Sequence, residues 1–184
     1  MKHSQKPDPD NPRALPAPAT RNTIVGSSML EHIVEASRKS SRGRIIFPFH
    51  KNNGDRLQRM LNALQPESYI QPHRHENPPK SESILVLRGS ICFITFTETG
   101  DIEEVFFLRA ESPAVGIDSE PGSYHTFFAL EPDTVLFEVK PGPYEADTEK
   151  QSAPWSPAEG SDEAGDYFLK LKGLAKERQS EGQD

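Results

Sequence analysis

The chain has one cysteine, one tryptophan and no long apolar run. Cys92 has no second thiol in its own chain, so no intramolecular disulfide forms, which fits a reducing compartment. No stretch approaches the roughly 18–20 apolar residues of a membrane helix, and the N-terminus lacks the apolar core of a secretory signal. These absences predict a cytoplasmic protein with no membrane partner. Basic residues are also in short supply. The chain carries 21 basic against 28 acidic residues, a formal net charge of -7. Phosphate backbones need a basic face, so this balance argues against nucleic acid as a partner. Hydrophobic residues make up 34% of the chain and mean hydropathy is -0.68. The 12 glycines do not close the gap to the usual ~45–50% apolar fraction counted with glycine. That deficit places unfolded chain at the two ends.

At 184 residues the length fits one domain with a real core. Residues 1–23 hold five of the 17 prolines among Asp, Asn, Lys and Ala, the composition of a disordered arm. Ser28-Met29-Leu30-Glu31 has the spacing of a capping box, and Met29, Leu30, Ile33 and Val34 share one stripe. Together they predict a helix from about 28 to 40. Extended structure starts at Arg44. Strands then follow over Arg56–Gln65, Ser68–His75, Glu82–Arg88, Ser90–Thr97, Ile102–Leu108, Tyr124–Leu130 and Thr134–Lys140. Pro66, Pro78-Pro79, Gly89, Thr99-Gly100-Asp101 and Glu131-Pro132-Asp133 punctuate them. Short strands at roughly 8–12-residue spacing predict an antiparallel sandwich or barrel. Ala164, Tyr167, Phe168, Leu171, Leu174 and Ala175 return to helical spacing and predict a second helix on the barrel's outside. The expected organisation is an arm over 1–23, one domain over 24–178 with its barrel core at about 44–140, and a frayed tail over 179–184.

Successive side chains of a strand point to opposite faces, so His73 and His75 point the same way. Glu82 opens the next strand and shares a face with Ile84 and Val86. His125 follows the Pro121-Gly122 turn and shares a face with Phe127 and Ala129. If those faces all look into a small barrel, three imidazoles and one carboxylate converge beside an apolar interior. That set suits a divalent transition metal such as Fe, Zn, Mn or Ni, with solvent or substrate in the remaining positions.

His73-x-His75-x6-Glu82-x6-Gly89 resembles the first motif of the cupins, and Gly116-x4-Pro121-Gly122-x2-His125 resembles the second. The gap between His75 and Glu82 is longer than the family's usual three or four residues. The second motif is one residue short, and Ala129 stands where many cupins carry asparagine. A more specific resemblance, over about residues 28–172, is to the WbuC group of cupin-fold metalloproteins. It is carried by Arg59-Met60-Leu61-Asn62-Ala63-Leu64, Tyr69-Ile70-Gln71-Pro72-His73-Arg74-His75, His125-Thr126-Phe127, Ala129-Leu130-Glu131-Pro132, Phe137-Glu138-Val139-Lys140, Gly142-Pro143-Tyr144 and Ala153-Pro154-Trp155. The resemblance implies an all-β cupin domain, a double-stranded β-helix or jelly-roll-like barrel flanked by helices. It also implies a bound metal and a link to cell-surface polysaccharide metabolism, with a sugar or nucleotide-sugar ligand.

Three further residues are candidates for binding a small-molecule ligand. Arg59 offers a rigid fork for a carboxylate or phosphate, with a surface ion pair as the alternative. Arg59 and Asn62 lie on opposite strand faces, so only one of them points inward. Lys80 lies in the loop between the ligands, placed either to fix an anion at the barrel mouth or in solvent. Phe127 is core or pocket wall. His50 is read as structural or exposed. Three functions remain open at this point: a metalloenzyme of small-molecule metabolism, an Fe(II)-dependent dioxygenase, and a non-catalytic metal- or ligand-binding module. A homodimer is compatible with barrel edges that a partner can cover.

Overall fold

The computed structural model describes residues 12–181. Helix α1 (Ser27–Lys39) leads into strands β1 (Arg44–Pro48), β2 (Leu57–Leu64), β3 (His73–Arg74), β4 (Glu82–Arg88) and β5 (Ser90–Phe96). Strands β6 (Ile102–Arg109), β7 (Gly116–Ser119), β8 (Tyr124–Ala129), β9 (Thr134–Pro141) and β10 (Gln151–Ser152) follow, and helix α2 (Ala164–Glu181) closes the described chain. The strands form two five-stranded sheets, ordered β1-β2-β9-β4-β7 and β10-β3-β8-β5-β6, with every strand pairing antiparallel. This is the expected all-β, jelly-roll-like barrel with flanking helices.

Period-two alternation sorts each strand's side chains. Leu64, Ile84, Val86, Ile91, Phe93, Phe127, Ala129 and Leu136 meet between the sheets. The opposite faces of two of those strands carry Cys92, Ile94, Phe96, Tyr124 and Phe128, which Phe168, Leu171 and Ala175 of α2 cover. On the other sheet Ile45, Phe47, Leu61, Ala63 and Val135 are covered by Ile33 and Val34 of α1. Each fully buried Leu, Ile or Phe contributes about 1.5–3 kcal/mol, so both helices hold their sheets by the hydrophobic effect. Cys92 is one of these packing groups, and burial pushes its thiol up to about 12.

Several boundaries differ from those expected. Helix α1 starts at Ser27 with Gly26 as its N-cap, and no side chain caps it. Ser28 therefore sits inside the first turn, and the capping-box reading is corrected. The strand expected over Ser68–His75 shrinks to His73–Arg74, because side chains take the carbonyls a ladder would use. Arg44 Nη1 donates to Tyr69 O (2.8 Å) and Thr126 Oγ1 to Ile70 O (2.6 Å), while His73 Nδ1 lies 2.9 Å from Gln71 O. Strands β7 and β10 were not expected. They are four and two residues long and carry no hydrophobic alternation. Of the arm expected over 1–23, residues 1–11 lie outside the described residues. Ala14 bridges to Ile46 in parallel, and Leu15 N donates to Ile46 O at 2.8 Å. Of the expected tail, 182–184 also lie outside the described residues, and α2 runs on to Glu181.

Gly89 makes the turn between β4 and β5 with φ +75°, and a Cβ there would lie 2.3 Å from Thr134 Oγ1 and 3.1 Å from Thr134 Cα. Thr134 cannot yield, since its hydroxyl donates to Glu131 O at 2.8 Å and accepts from Ser90 N at 3.3 Å. Gly89→Ala is expected to destabilise the fold by roughly 2 kcal/mol or more. Urea unfolding measures this, and a variant within about 0.5 kcal/mol of wild type, the scatter of an ordinary surface change, contradicts the account.

Candidate metal centre

Three strands deliver the site. In the β3–β8 ladder His73 stands directly opposite His125, so the two rings come together with centroids 4.6 Å apart. His75, two residues along on the same face, joins them at 5.2 Å from His73 and 5.8 Å from His125. The three rings bring one nitrogen each within 4.8 Å of one another, and all three residues are buried. Phe93 stacks on His125 at 5.3 Å with planes 11° apart, forming an apolar wall. Glu82, first residue of β4, comes from the opposite sheet. Its Oε2 lies 3.4 Å from His75 Nε2 and its Oε1 3.8 Å from His125 Nε2.

Each histidine is oriented by the same device. Nδ1 of His73 meets Gln71 O (2.9 Å), Nδ1 of His125 meets Ser123 O (2.9 Å), and Nδ1 of His75 meets Glu149 O (2.5 Å). A carbonyl only accepts, so each Nδ1 carries a proton and Nε2 is the atom left to face a metal. Burial favours the uncharged imidazole. It holds His73 well below the usual histidine value, helped by Lys150, and lowers His125 despite the pull of Glu82. Burial would raise Glu82, but His75 and the Lys140 ammonium outweigh it and keep Glu82 well below the carboxylate range. Uncharged imidazoles at His73 and His125 beside an ionised Glu82 are the protonation states that a cation needs.

Whether a metal fits is tested by what the side chains leave unmet. His75 Nε2, His125 Nε2 and Glu82 Oε1 are buried atoms with no hydrogen-bond partner. Such orphans cost about 1–3 kcal/mol each, more when charged. One divalent cation among them would satisfy all three, and the donors are borderline nitrogens plus one oxygen, the set first-row metals prefer.

Behind the histidines lies a lattice of buried charge that the sequence reading did not pick out. Lys140 Nζ sits 3.0 Å from Glu138, 3.0 Å from Glu149 and 3.8 Å from Glu82. Glu149 also accepts from Lys80 Nζ at 2.6 Å, and Glu138 accepts from Asn62 at 2.5 Å. Burial lowers a lysine, but Glu138, Glu82 and Glu149 overcome it and raise Lys140. Burial and the charge of Glu82 raise Glu138. The signal for this lattice was present in the sequence: Glu138 and Lys140 stand two apart on one face of a strand whose third inward residue is Leu136. Opposite charges on a core-facing stripe are a buried pair, not a solvated one. No such signal marked Glu149 and Lys150, which lie in an acidic loop without periodicity. That loop is tied back by β10, where Ser152 pairs with His73 and Gln151 with Arg74.

A cavity of about 630 Å³ opens beside the centre. His73, Asn62, Phe127, Glu138 and Lys140 line it together with Arg42, Arg44, His50, Tyr144 and Lys150. The structure brings His73, His75, Glu82 and His125 together and puts Phe127 on the cavity wall. Arg59 and Lys80 lie outside the cavity lining. Arg59 is exposed on the outer face of β2, because Leu61 and Ala63 must lie under α1 and residues two apart share a face. Asn62 is the one that points inward. Lys80 is 4% exposed and spends its ammonium on Glu149 and on Pro143 O (2.7 Å), so it braces the loop and does not reach the cavity.

A family described as a domain of unknown function (DUF6016) matches residues 25–108, a little under half of the chain. No curated protein matches the chain. Similar solved structures include oxalate decarboxylase from Bacillus subtilis, 16% identical with a TM-score of 0.43, covering 54% of this chain and 24% of that one. KdgF from Halomonas sp. is 19% identical with a TM-score of 0.42, covering 56% of this chain and 80% of that one. CapF is 22% identical with a TM-score of 0.46, covering 58% and 31%. The chain thus spans about a quarter of the decarboxylase it matches.

Proposed function

We propose that the protein is a cupin-type metalloenzyme in which His73, His75, His125 and Glu82 hold one divalent transition metal and the adjoining cavity takes a small molecule. The observation that carries this is the convergence of buried, unpaired His75 Nε2, His125 Nε2 and Glu82 Oε1 within a buried tri-histidine cluster. When bound, such a metal supplies Lewis-acid polarisation of a carbonyl or hydroxyl, or an activated water. The chain's own residues do the rest. The Nδ1 bonds fix the rings, Phe93 and Phe127 keep that side apolar, and Glu138, held protonated more readily than an ordinary carboxyl, offers a proton-exchanging group on the cavity wall. The finer reading, a sugar or nucleotide-sugar ligand in cell-surface polysaccharide metabolism, is supported by the resemblance of the strand motifs to the WbuC group.

Elemental analysis of untagged protein purified without chelators tests the reading. About one equivalent of metal per chain is expected. Iron at that level directs the search to oxygen uptake and the dioxygenase reading, whereas zinc, manganese or nickel directs it to Lewis-acid chemistry. No metal even after reconstitution overturns the proposal.

A further inference from the structure

The cavity is positively charged in a protein that is not. Arg13, Arg42, Arg44, Lys140 and Lys150 line it, against the three carboxylates of Glu138, Glu149 and Glu159. Arg44 is committed, through Ser68 Oγ (3.0 Å), Tyr69 O and Glu159 (2.5 Å), and Arg42 reaches the same Glu159 at 3.5 Å. One carboxylate therefore serves two guanidiniums. Deeper in, Lys140 balances the neighbouring glutamates as described above. Lys150 differs from all of these. It makes no hydrogen bond or ion pair among the described residues, yet it lines the cavity that His73 also lines. Its neighbours carry charge of both signs: Lys140 and Glu138 from β9, Glu82 from β4 and Arg44 from β1. The side chain is exposed to water where it lines the cavity. Desolvation by the nearby cavity walls, with Lys140 next in effect, pulls the ammonium down to about 8. A cation so placed is held against like-charge repulsion, and an anion arriving beside it removes that repulsion.

We propose that the cavity binds an organic anion, its carboxylate or phosphate group taken by Lys150, with Arg42 on the same cavity lining, and its remaining part directed to His73 and the metal. A second argument for an anion is the overall balance. The chain carries -7, so its mean field repels anions, and a cationic lining set against that field selects for them locally. The inference deepens the metalloenzyme reading and rests on it for which end of the ligand reacts. Anchoring of the anion depends on Lys150 and Arg42 alone.

The test uses the full chain and matched probes differing in one charged group: galacturonate against galactose, and glucose 6-phosphate against glucose. Titration calorimetry is run on metal-loaded and metal-stripped protein, with metal content measured in the same samples. At least one charged probe is expected to bind about tenfold or more tightly than its neutral twin, the margin of a charge-assisted contact. The carboxylate and phosphate arms decide which anion the site takes. Lys150→Gln is expected to remove that preference while retaining the full metal equivalent, and Lys150→Arg to restore it. A neutral twin that binds as well as its charged partner, or an unchanged preference in Lys150→Gln, overturns the proposal. If wild type holds no metal but the charged probes still bind through Lys150, the metal reading fails and the anion site stands. If metal is present and charge makes no difference, the reverse holds.

Discussion

His75→Ala is expected to leave the centre without metal. Three imidazoles and one carboxylate share the work, and the loss of one nitrogen removes both a bond and the geometry that the other three fix. Changing a residue that merely orients a ligand costs about 10–100-fold in metal affinity, so loss of the ligand itself is set above about 100-fold. After dialysis against chelator-treated buffer the variant should retain under a tenth of an equivalent, and His73→Ala should behave alike. A bound metal at 1,000 times its dissociation constant stabilises the fold by about 4 kcal/mol. Added metal should therefore raise the melting temperature of wild type by several degrees and leave both variants unmoved. The variants should still fold, since the barrel core of Ile84, Ile91, Phe93 and Leu136 does not depend on the site, and far-ultraviolet circular dichroism checks this. A full equivalent of metal in both alanine variants would sink the ligand assignment.

The histidines were legible because their information is local and periodic. Two residues apart on a strand means one face, and the turn at Pro121-Gly122 puts His125 at a strand start, opposite His73 in the ladder. The inward set on β4 and β8 followed from the same rule, and the cores confirm it: Ile84, Val86, Phe127 and Ala129 all meet between the sheets. Period two cannot say which face looks inward when both faces of a strand are covered. Strand β2 shows this, with residues buried on both sides over Met60–Leu64, so Arg59 and Asn62 could not be told apart without knowing where α1 lies. The loop over 141–163 was opaque for another reason. It has no period, and its role depends on long-range bonds: Glu149 O to His75, Glu149 to Lys80, Ala153 N to Pro72 O at 2.8 Å. Such contacts leave no trace in local spacing. The buried pair on β9 could have been read, since alternation placed Glu138 and Lys140 on the face of Leu136.

That pair sets the largest expected effect on stability. Lys140→Met keeps most of the side-chain volume but removes the cation that Glu82, Glu138 and Glu149 share at 3.8, 3.0 and 3.0 Å. Removing one partner of a buried ion pair typically costs about 3–5 kcal/mol, because the remaining charge stays desolvated. Spread over a chain this size, that lowers the melting temperature by roughly 6–20 °C. The pH dependence has a definite sign. Burial would raise Glu149, but Lys140 and Lys80 outweigh it and hold its folded value below the unfolded one. Its contribution to stability is therefore present above the ordinary carboxylate range and is lost as pH falls through the lowered folded value. Without Lys140 much of that depression goes, so wild type and variant should differ most near neutral pH and converge as the solution is acidified. Pairing Lys140→Met with Glu138→Gln removes one of the stranded carboxylates and should recover part of the loss, with the new amide still facing Asn62. A Lys140→Met protein as stable as wild type at neutral pH, or a gap that does not narrow in acid, would show that Lys140 does not hold these three carboxylates in place.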